Sequence, residues 1–251
     1  MTPEREIQGF AKLIEALRPW LDGVIIVGGW AHRLFRYHPL ARIPQYPPLM
    51  TLDADVALPV AVSFSDQNLR ERLVACGFHE DFVGNDRPPV THYQLGGDDQ
   101  GFFVEFLTPL SGSEVKRNRR RDVTTTIAGI TAQKLRYIDV LLIEPWSVDF
   151  KIGRYSETPP PKVKIANPVT YIVQKLLTGG KRKPHEQAKD VLYIHDTLEL
   201  FSVSISELSR IWKDHVGPQL GADIRMKKPA AGSLNCHLSP GSRMGGIPEF
   251  R

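Results

Sequence analysis

Three carboxylates and a pair of glycines are the residues of this chain whose types and spacing could do chemistry. Asp53 and Asp55 lie two apart in Thr51-Leu52-Asp53-Ala54-Asp55-Val56. That stretch reads as strand, so both side chains leave the same face. Two carboxylates on one face repel unless a cation sits between them. Mg²⁺ takes oxygen ligands, commonly one or two carboxylates plus substrate phosphates. Glu105 stands in Val104-Glu105-Phe106-Leu107, an otherwise apolar strand in which an acid needs a reason. If the two strands are neighbours, three carboxylates converge and could hold two metals roughly 3.5–4 Å apart. Gly28 and Gly29 close the β-branched run that starts at Gly23. They remove side chains where backbone N–H groups must approach phosphate, and a helix starting at Trp30 offers its positive end.

Each piece also has a plainer reading. An Asp-x-Asp pair at a strand end is often a solvated turn, a double glycine can serve turn geometry alone, and a lone Glu can face water. The order is more specific: strand, Gly-Gly, helix, strand with two acids, then a later strand with one. Asp139 and Asp149 are alternatives to Glu105, each closer to a polar strand end. Lys175, among Ile172, Leu176 and Leu177, either snorkels from a core face or neutralises a triphosphate. Lys189 and Asp190 form either a surface ion pair or part of a site. His32 and His38 flank the glycine turn, and His92 precedes a strand. No Ser or Cys stands beside an identifiable base, and no His pair has zinc-ligand spacing around an acid.

The elements that must position these residues are legible in outline. Residues 4–18 are expected as an amphipathic helix with Phe10, Leu13, Ile14 and Leu17 on one face, Thr2 as cap and Pro3 first. Pro39 to Pro48 holds four prolines and reads as an extended connection. Strands are expected at Thr51–Val62, His92–Leu95, Phe102–Leu107, Tyr137–Ile143 and Val148–Lys151, with the Gly96-Gly97-Asp98-Asp99 turn joining the second and third. Ser65 is expected to cap a helix carrying Leu69, Leu73 and Val74 that ends at Gly77. This mixture suggests an α+β or α/β domain. Beyond the prolines 159–161 the chain reads as helical. Asn167 and Pro168 open a helix through Leu177, closed by Gly179 and Gly180. A second spans about 185–199 with Ala188, Val191, Leu192 and Leu198 as its apolar face. Ser204 and Glu207 form a capping box for a third, holding Ile205, Leu208 and Trp212. The expected division is 1–160, 161–225 and a tail, 226–251, without periodicity.

Composition sets the outer limits. Of 251 residues 41% are hydrophobic and 24% charged, ordinary for a globular chain with a real core. No apolar run approaches the roughly 20 residues of a membrane span. The first twenty residues carry scattered charges and no small-residue cleavage site. Cys76 and Cys236 cannot staple a chain this size, so a cytoplasmic location is expected. The net charge of +4 is mild. Its distribution is more telling, with one cluster at Lys116, Arg117, Arg119, Arg120 and Arg121 and another at Lys181, Arg182, Lys183 and Lys189. Both are either solvated loops or faces for a polyanion. Cys236 and His237, two lone ligands in the tail, make no zinc site.

Val27-Gly28-Gly29-Trp30-Ala31 followed by Thr51-Leu52-Asp53-Ala54-Asp55-Val56 resembles the polymerase-β-type nucleotidyltransferase superfamily, over roughly residues 20–200. Val104-Glu105-Phe106-Leu107-Thr108-Pro109, Lys175 and Lys189-Asp190 are most similar to its AbiEii-type, toxin-like branch. The resemblance implies an α+β fold, a mixed sheet with flanking helices followed by a small helical domain. It implies transfer of a nucleoside monophosphate from an NTP to an acceptor hydroxyl. Mg²⁺ or Mn²⁺ would be held by Asp53, Asp55 and Glu105, the nucleotide by Gly28, Gly29, Lys175 and Lys189, and Asp190 would act as general base. The acceptor would be tRNA or another RNA, with a cognate antitoxin protein as a further partner and no membrane. A small-molecule antibiotic acceptor is the nearest alternative, and a non-catalytic nucleotide- or RNA-binding protein is the rival from another class. The chain departs from the superfamily in the long gap between Gly29 and Asp53 and in having Glu as third acid.

Overall fold

Pro3–Leu17 form helix α1, with Phe10, Leu13, Ile14 and Leu17 buried at the expected spacing. A computed structural model of the chain describes residues 3–60, 68–96, 101–115, 121–151 and 159–220. The expectations placed on Thr2, Ser65, the turn at 97–99, the basic run 116–120 and the tail from 226 lie outside these residues. Met1–Gln219 make up one compact unit; the other is Leu220–Arg251, of which Leu220 alone is described. Among the described residues no helix is long and apolar enough to cross a membrane.

The protein is α+β, built on a mixed sheet. After α1 come β1 (Ile25–Val27), α2 (Gly28–Leu34), β2 (Asp53–Ala57), α3 (Leu69–Ala75), β3 (Phe78–Val83), β4 (Val90–Leu95) and β5 (Phe102–Pro109). Then follow β6 (Thr124–Ile127), β7 (Ile130–Leu135), α4 (Ile138–Leu141), β8 (Trp146–Asp149) and β9 (Lys162–Ile165). The chain continues with α5 (Pro168–Gly179), α6 (Pro184–Leu200) and α7 (Ile205–Ile211). The sheet order is β3-β4-β5-β2-β1-β9-β8, with β7 on the far half of β5 and β6 beyond it. Strand β9 lies past residue 160, so the chain returns to the sheet once more before the helices begin.

Strand periodicity divides the sheet into two unlike faces. Phe102 turns toward α1 and α2, where Phe10 stacks on Trp30 at 3.9 Å and Trp30 meets Phe102 edge-on. The opposite face carries Ile25, Val27, Ala57 and Leu107, packed with Ile138 and Leu141 of α4 and with Ala166. Asp53, Asp55 and Glu105 belong to that second face by alternation, so the acids stand at the edge of a core cluster.

Several elements differ from the sequence expectation. Tyr137–Ile143 is not a strand. The backbone turns at Tyr137, φ +66°, and α4 drops Ile138, Val140 and Leu141 into the core at helical spacing. Helix α2 starts at Gly28 rather than Trp30, which puts both glycines in its first turn. Helix α6 is rotated from its expected face: Val191 and Leu192 are 66% and 49% exposed, while Asp190 and Asp196 are only 4% and 3% exposed. The carboxylates go inside because each meets buried partners, given below, that offset their desolvation. The Ser204–Glu207 box does not form, because the Ser204 hydroxyl donates to Leu40 O (3.0 Å) and Glu207 pairs with Arg210. Asn167 does cap α5, accepting from Val169 N and Thr170 N.

The proline-rich connection is strapped down. Arg42 N donates to Leu200 O at 2.7 Å, Arg36 donates to Tyr46 O, and the Tyr46 hydroxyl reaches Asp196 and Glu199 of α6. Beneath the strap His32 is fully buried, Nε2 3.0 Å from Asp196 Oδ2, with its ring against Tyr171 and Tyr193. Burial lowers the His32 pKa to about 4 against the opposing pull of Asp196.

Candidate active site

The register of three strands aligns the candidate residues in one row. Val27 pairs with Asp55 across β1 and β2, and Asp55 pairs with Glu105 across the parallel β2 and β5. The next row down the same face, Ile25, Ala57 and Leu107, is core. Gly28 follows Val27 at φ +61°, and a Cβ there would lie 1.9 Å from Asp55 Oδ2. Only glycine therefore lets the turn at the start of α2 sit directly on the carboxylate. Gly29 is held as tightly, its missing Cβ 2.6 Å from the Thr51 hydroxyl.

These residues open into a cavity of about 440 Å³. Gly28, Asp53, Asp55, Glu105 and Gln133 line it from the sheet, and Tyr171, Gln174, Lys175, Arg182 and Lys189 from the helical side. The Asp55 carboxyl is pushed up to about 7, first by burial and then by the negative charges of Asp53 and Glu105. Asp53 accepts from the Thr51 hydroxyl. Glu105 Oε1 accepts from Gln133 Nε2 at 2.5 Å and lies 3.0 Å from His92 Nε2.

Among the described residues no three His, Cys, Asp or Glu side chains are gathered as a ready metal-ligand set. The Glu105 carboxylate is engaged by His92 and Gln133 instead. Asp53 and Asp55 nevertheless fit a hard divalent cation. They are oxygen donors on one face of one strand, and a cation between them would offset the burial and the like charge that hold the Asp55 proton on. Mg²⁺ needs no more than one or two carboxylates when phosphate oxygens complete its shell.

On the opposite wall Lys175 is buried, its Nζ 2.6 Å from Asp190 Oδ1 and between the rings of Tyr171 and Tyr193 at 4.8 and 4.6 Å. Burial lowers its pKa, and Asp190 opposes that shift. Asp190 itself does not line the cavity; its carboxylate meets Lys175 and, at 3.4 Å, Arg182. Lys189 reaches the cavity beside the Tyr193 ring, apart from Asp190. Of the other candidates, His38 stacks on Trp146, Asp149 pairs with Lys151, and neither these nor Asp139 lines the cavity.

Sequence reasoning missed Gln133, Tyr171 and the role of His92, and had Arg182 only as one member of a basic cluster. Two signals were available. Tyr171 stands one helical turn before Lys175, and Asp190, Tyr193 and Thr197 form a polar stripe at helical spacing. A stripe of that composition, read as the inward face, would have placed Asp190 on Lys175.

Comparison with known proteins bears on the same residues. No curated protein matches the chain. A solved structure described as an antigenic nucleotidyltransferase-like protein from Paracoccidioides brasiliensis is similar at 14% identity. It covers 77% of this chain and 75% of its own, with a TM-score of 0.42. A family model described as Nucleotidyltransferase matches residues 5–216, a span that includes every residue of the cavity. The chain belongs to that nucleotidyltransferase family.

Proposed function

We propose that the protein transfers a nucleoside monophosphate from an NTP to an acceptor hydroxyl, RNA being the favoured acceptor. The observation that carries this reading is the row Val27, Asp55, Glu105 across β1, β2 and β5, with Gly28 next after Val27, facing Lys175, Arg182 and Lys189 over one cavity. In the reaction the acceptor oxygen bonds to the α-phosphorus while the bond from that phosphorus to the bridging oxygen breaks. Pyrophosphate leaves with the electron pair, and the hydroxyl proton passes to water. Mg²⁺ or Mn²⁺ at Asp53 and Asp55 would neutralise the phosphates and make the acceptor oxygen more nucleophilic.

The remaining work falls to the chain. Backbone N–H groups at the start of α2 approach the triphosphate beside Gly28, whose missing side chain lets that turn sit on the Asp55 carboxylate. Lys175, Arg182 and Lys189 supply fixed positive charge from the opposite wall, as phosphoryl transfer requires. Glu105, held by His92 and Gln133, marks the acceptor end of the row. Asp190 keeps Lys175 and Arg182 in place. A toxin-like role and an antitoxin partner extend this reading through the motif resemblance around Val104 to Pro109, Lys175 and Lys189.

The test incubates the protein with Mg²⁺, each α-labelled NTP, total RNA and a small-molecule extract, with an Asp55→Asn variant alongside. Label enters RNA with the wild-type protein and falls at least a hundredfold in the variant, as for loss of a group stabilising the transition state. Label in the small-molecule fraction would replace the acceptor. Equal labelling by the variant would overturn the mechanism, and NTP binding indifferent to Mg²⁺ would favour a non-catalytic binding protein.

A further inference from the structure

We propose that the cleft beyond β7, next to the cavity, is the acceptor subsite and takes the phosphodiester chain of a single-stranded nucleic acid; this rests on the transfer reading above. The cleft holds about 370 Å³ and shares Gln133, Leu135, Gln174 and Arg182 with the cavity, so the two adjoin. The direction follows from the row of residues across the sheet. The glycine turn that follows β1 fixes the triphosphate end. A hydroxyl attacking in line with the departing pyrophosphate comes from the other end, past Glu105 and Gln133. That is where the cleft opens.

Its chemistry suits a polyanion with flat bases. Arg121, Lys134, Arg136, Lys181 and Arg182 line it, against the carboxylates of Asp86 and Glu114. The cations come from separate stretches of chain: the residues just before β6, the end of β7 and the α5–α6 turn. They flank the cleft on more than one side, as tracking of a backbone needs. Arg121 and Arg136 are held by exposed pairs, to Asp86 at 3.3 Å and Glu114 at 3.1 Å, whereas Lys134 is held by Asp122 at 2.8 Å in a part-buried pair. Exposed pairs of this kind are weak and can be exchanged for phosphate. The lining between them is apolar, Leu135 with the ring of Tyr137, whose backbone is held at φ +66°. A bulky residue rarely adopts that conformation. Cations around an apolar floor with an aromatic ring make a platform for stacked bases. The same charge opposes a polycationic amino-sugar acceptor.

The test measures anisotropy of labelled single strands of about 12 nucleotides, one RNA and one DNA, over a range of salt. The proteins are the full chain and its Arg136→Gln/Lys181→Gln and Tyr137→Leu variants. The double variant binds at least tenfold more weakly, and its log–log salt slope is shallower by about 1.4, two single-strand phosphate contacts. Tyr137→Leu loses roughly tenfold from one stacked base. Binding of a fluorescent ATP with Mg²⁺ and the unfolding midpoint stay unchanged in both. Equal binding of RNA and DNA, or preference for RNA, supports the proposal. Unchanged affinity and slope in the double variant would overturn it, as would a full chain that binds neither strand at near-physiological salt. Failure of the transfer reading looks different: strand binding persists, while Mg²⁺-dependent ATP binding and labelling are absent.

Discussion

Asp55 sits where the sheet concentrates charge, one strand from Glu105 and two residues from Asp53. Its carboxyl, ordinarily near 3.8, is held up to about 7. The unfolded chain releases that proton near pH 4, and the folded chain keeps it to about pH 7. The folded state therefore binds more protons across this window, and metal-free protein loses stability as pH rises through it, with the loss complete above. A divalent cation reverses the preference by stabilising the ionised form. Thermal unfolding in chelator should fall from pH 4 to 7 in the wild type and stay flatter in Asp55→Asn. At pH 8, Mg²⁺ should raise the wild-type midpoint and leave the variant's largely unmoved. A wild-type curve that is flat in chelator would contradict the raised Asp55 pKa that burial and the neighbouring charges produce. These acids were legible in the sequence because strand alternation alone puts them on one face. The partners that turn Glu105 aside, His92 and Gln133, come from β4 and β7, and no local spacing links them to residue 105.

At the scale of elements, the strands carrying the site were readable and the helix opposite them was not. Residues 185–199 show an apolar stripe at Val191, Leu192 and Leu198, yet α6 turns that stripe outward and buries Asp190, Tyr193, Asp196 and Thr197. Amphipathic pattern ranks side chains by their own transfer cost. It has no access to the lysine, histidine and tyrosine that wait on α5, α2 and the strap to pair with those carboxylates. Strands β3, β6, β7 and β9 escaped the sequence reading for a related reason: pairing in the sheet rather than a strong local signal specifies them. The strap itself gives a direct check. The single Tyr46 hydroxyl proton lies between the carboxylates of Asp196 and Glu199, so Tyr46→Phe leaves a buried carboxylate short of a donor. It should cost about 1–2 kcal/mol in urea unfolding. An unchanged midpoint would mean that the proline-rich segment is not anchored through that ring.

Across the whole molecule, the sheet brings glycines and acids to one wall of the cavity, and α5 with α6 bring cations to the other. A nucleotide bound to both walls ties the parts of the compact unit together. It should raise the unfolding free energy with ligand concentration, by about 2.7 kcal/mol at a hundredfold excess over Kd. The Asp190 carboxylate decides how much of that coupling survives. Two roles for it give opposite patterns. As a general base, Asp190→Asn would lower kcat and leave stability and Mg²⁺-ATP affinity near wild type. As the counter-ion of a buried lysine 2.6 Å away, the same change frees Lys175 to withdraw or lose its proton. Removing one partner of a buried pair costs about 3–5 kcal/mol, and an Asn that still accepts one hydrogen bond falls toward the lower end. Nucleotide affinity and KM would then suffer with stability, and the ligand-induced rise in midpoint would shrink. The geometry favours the second pattern, because both Asp190 oxygens face cations and the residue is absent from the cavity wall. Unfolding with and without Mg²⁺-ATP, read beside kcat and KM for Asp190→Asn, separates the two. A variant of normal stability and affinity with lost turnover would return Asp190 to the chemical step.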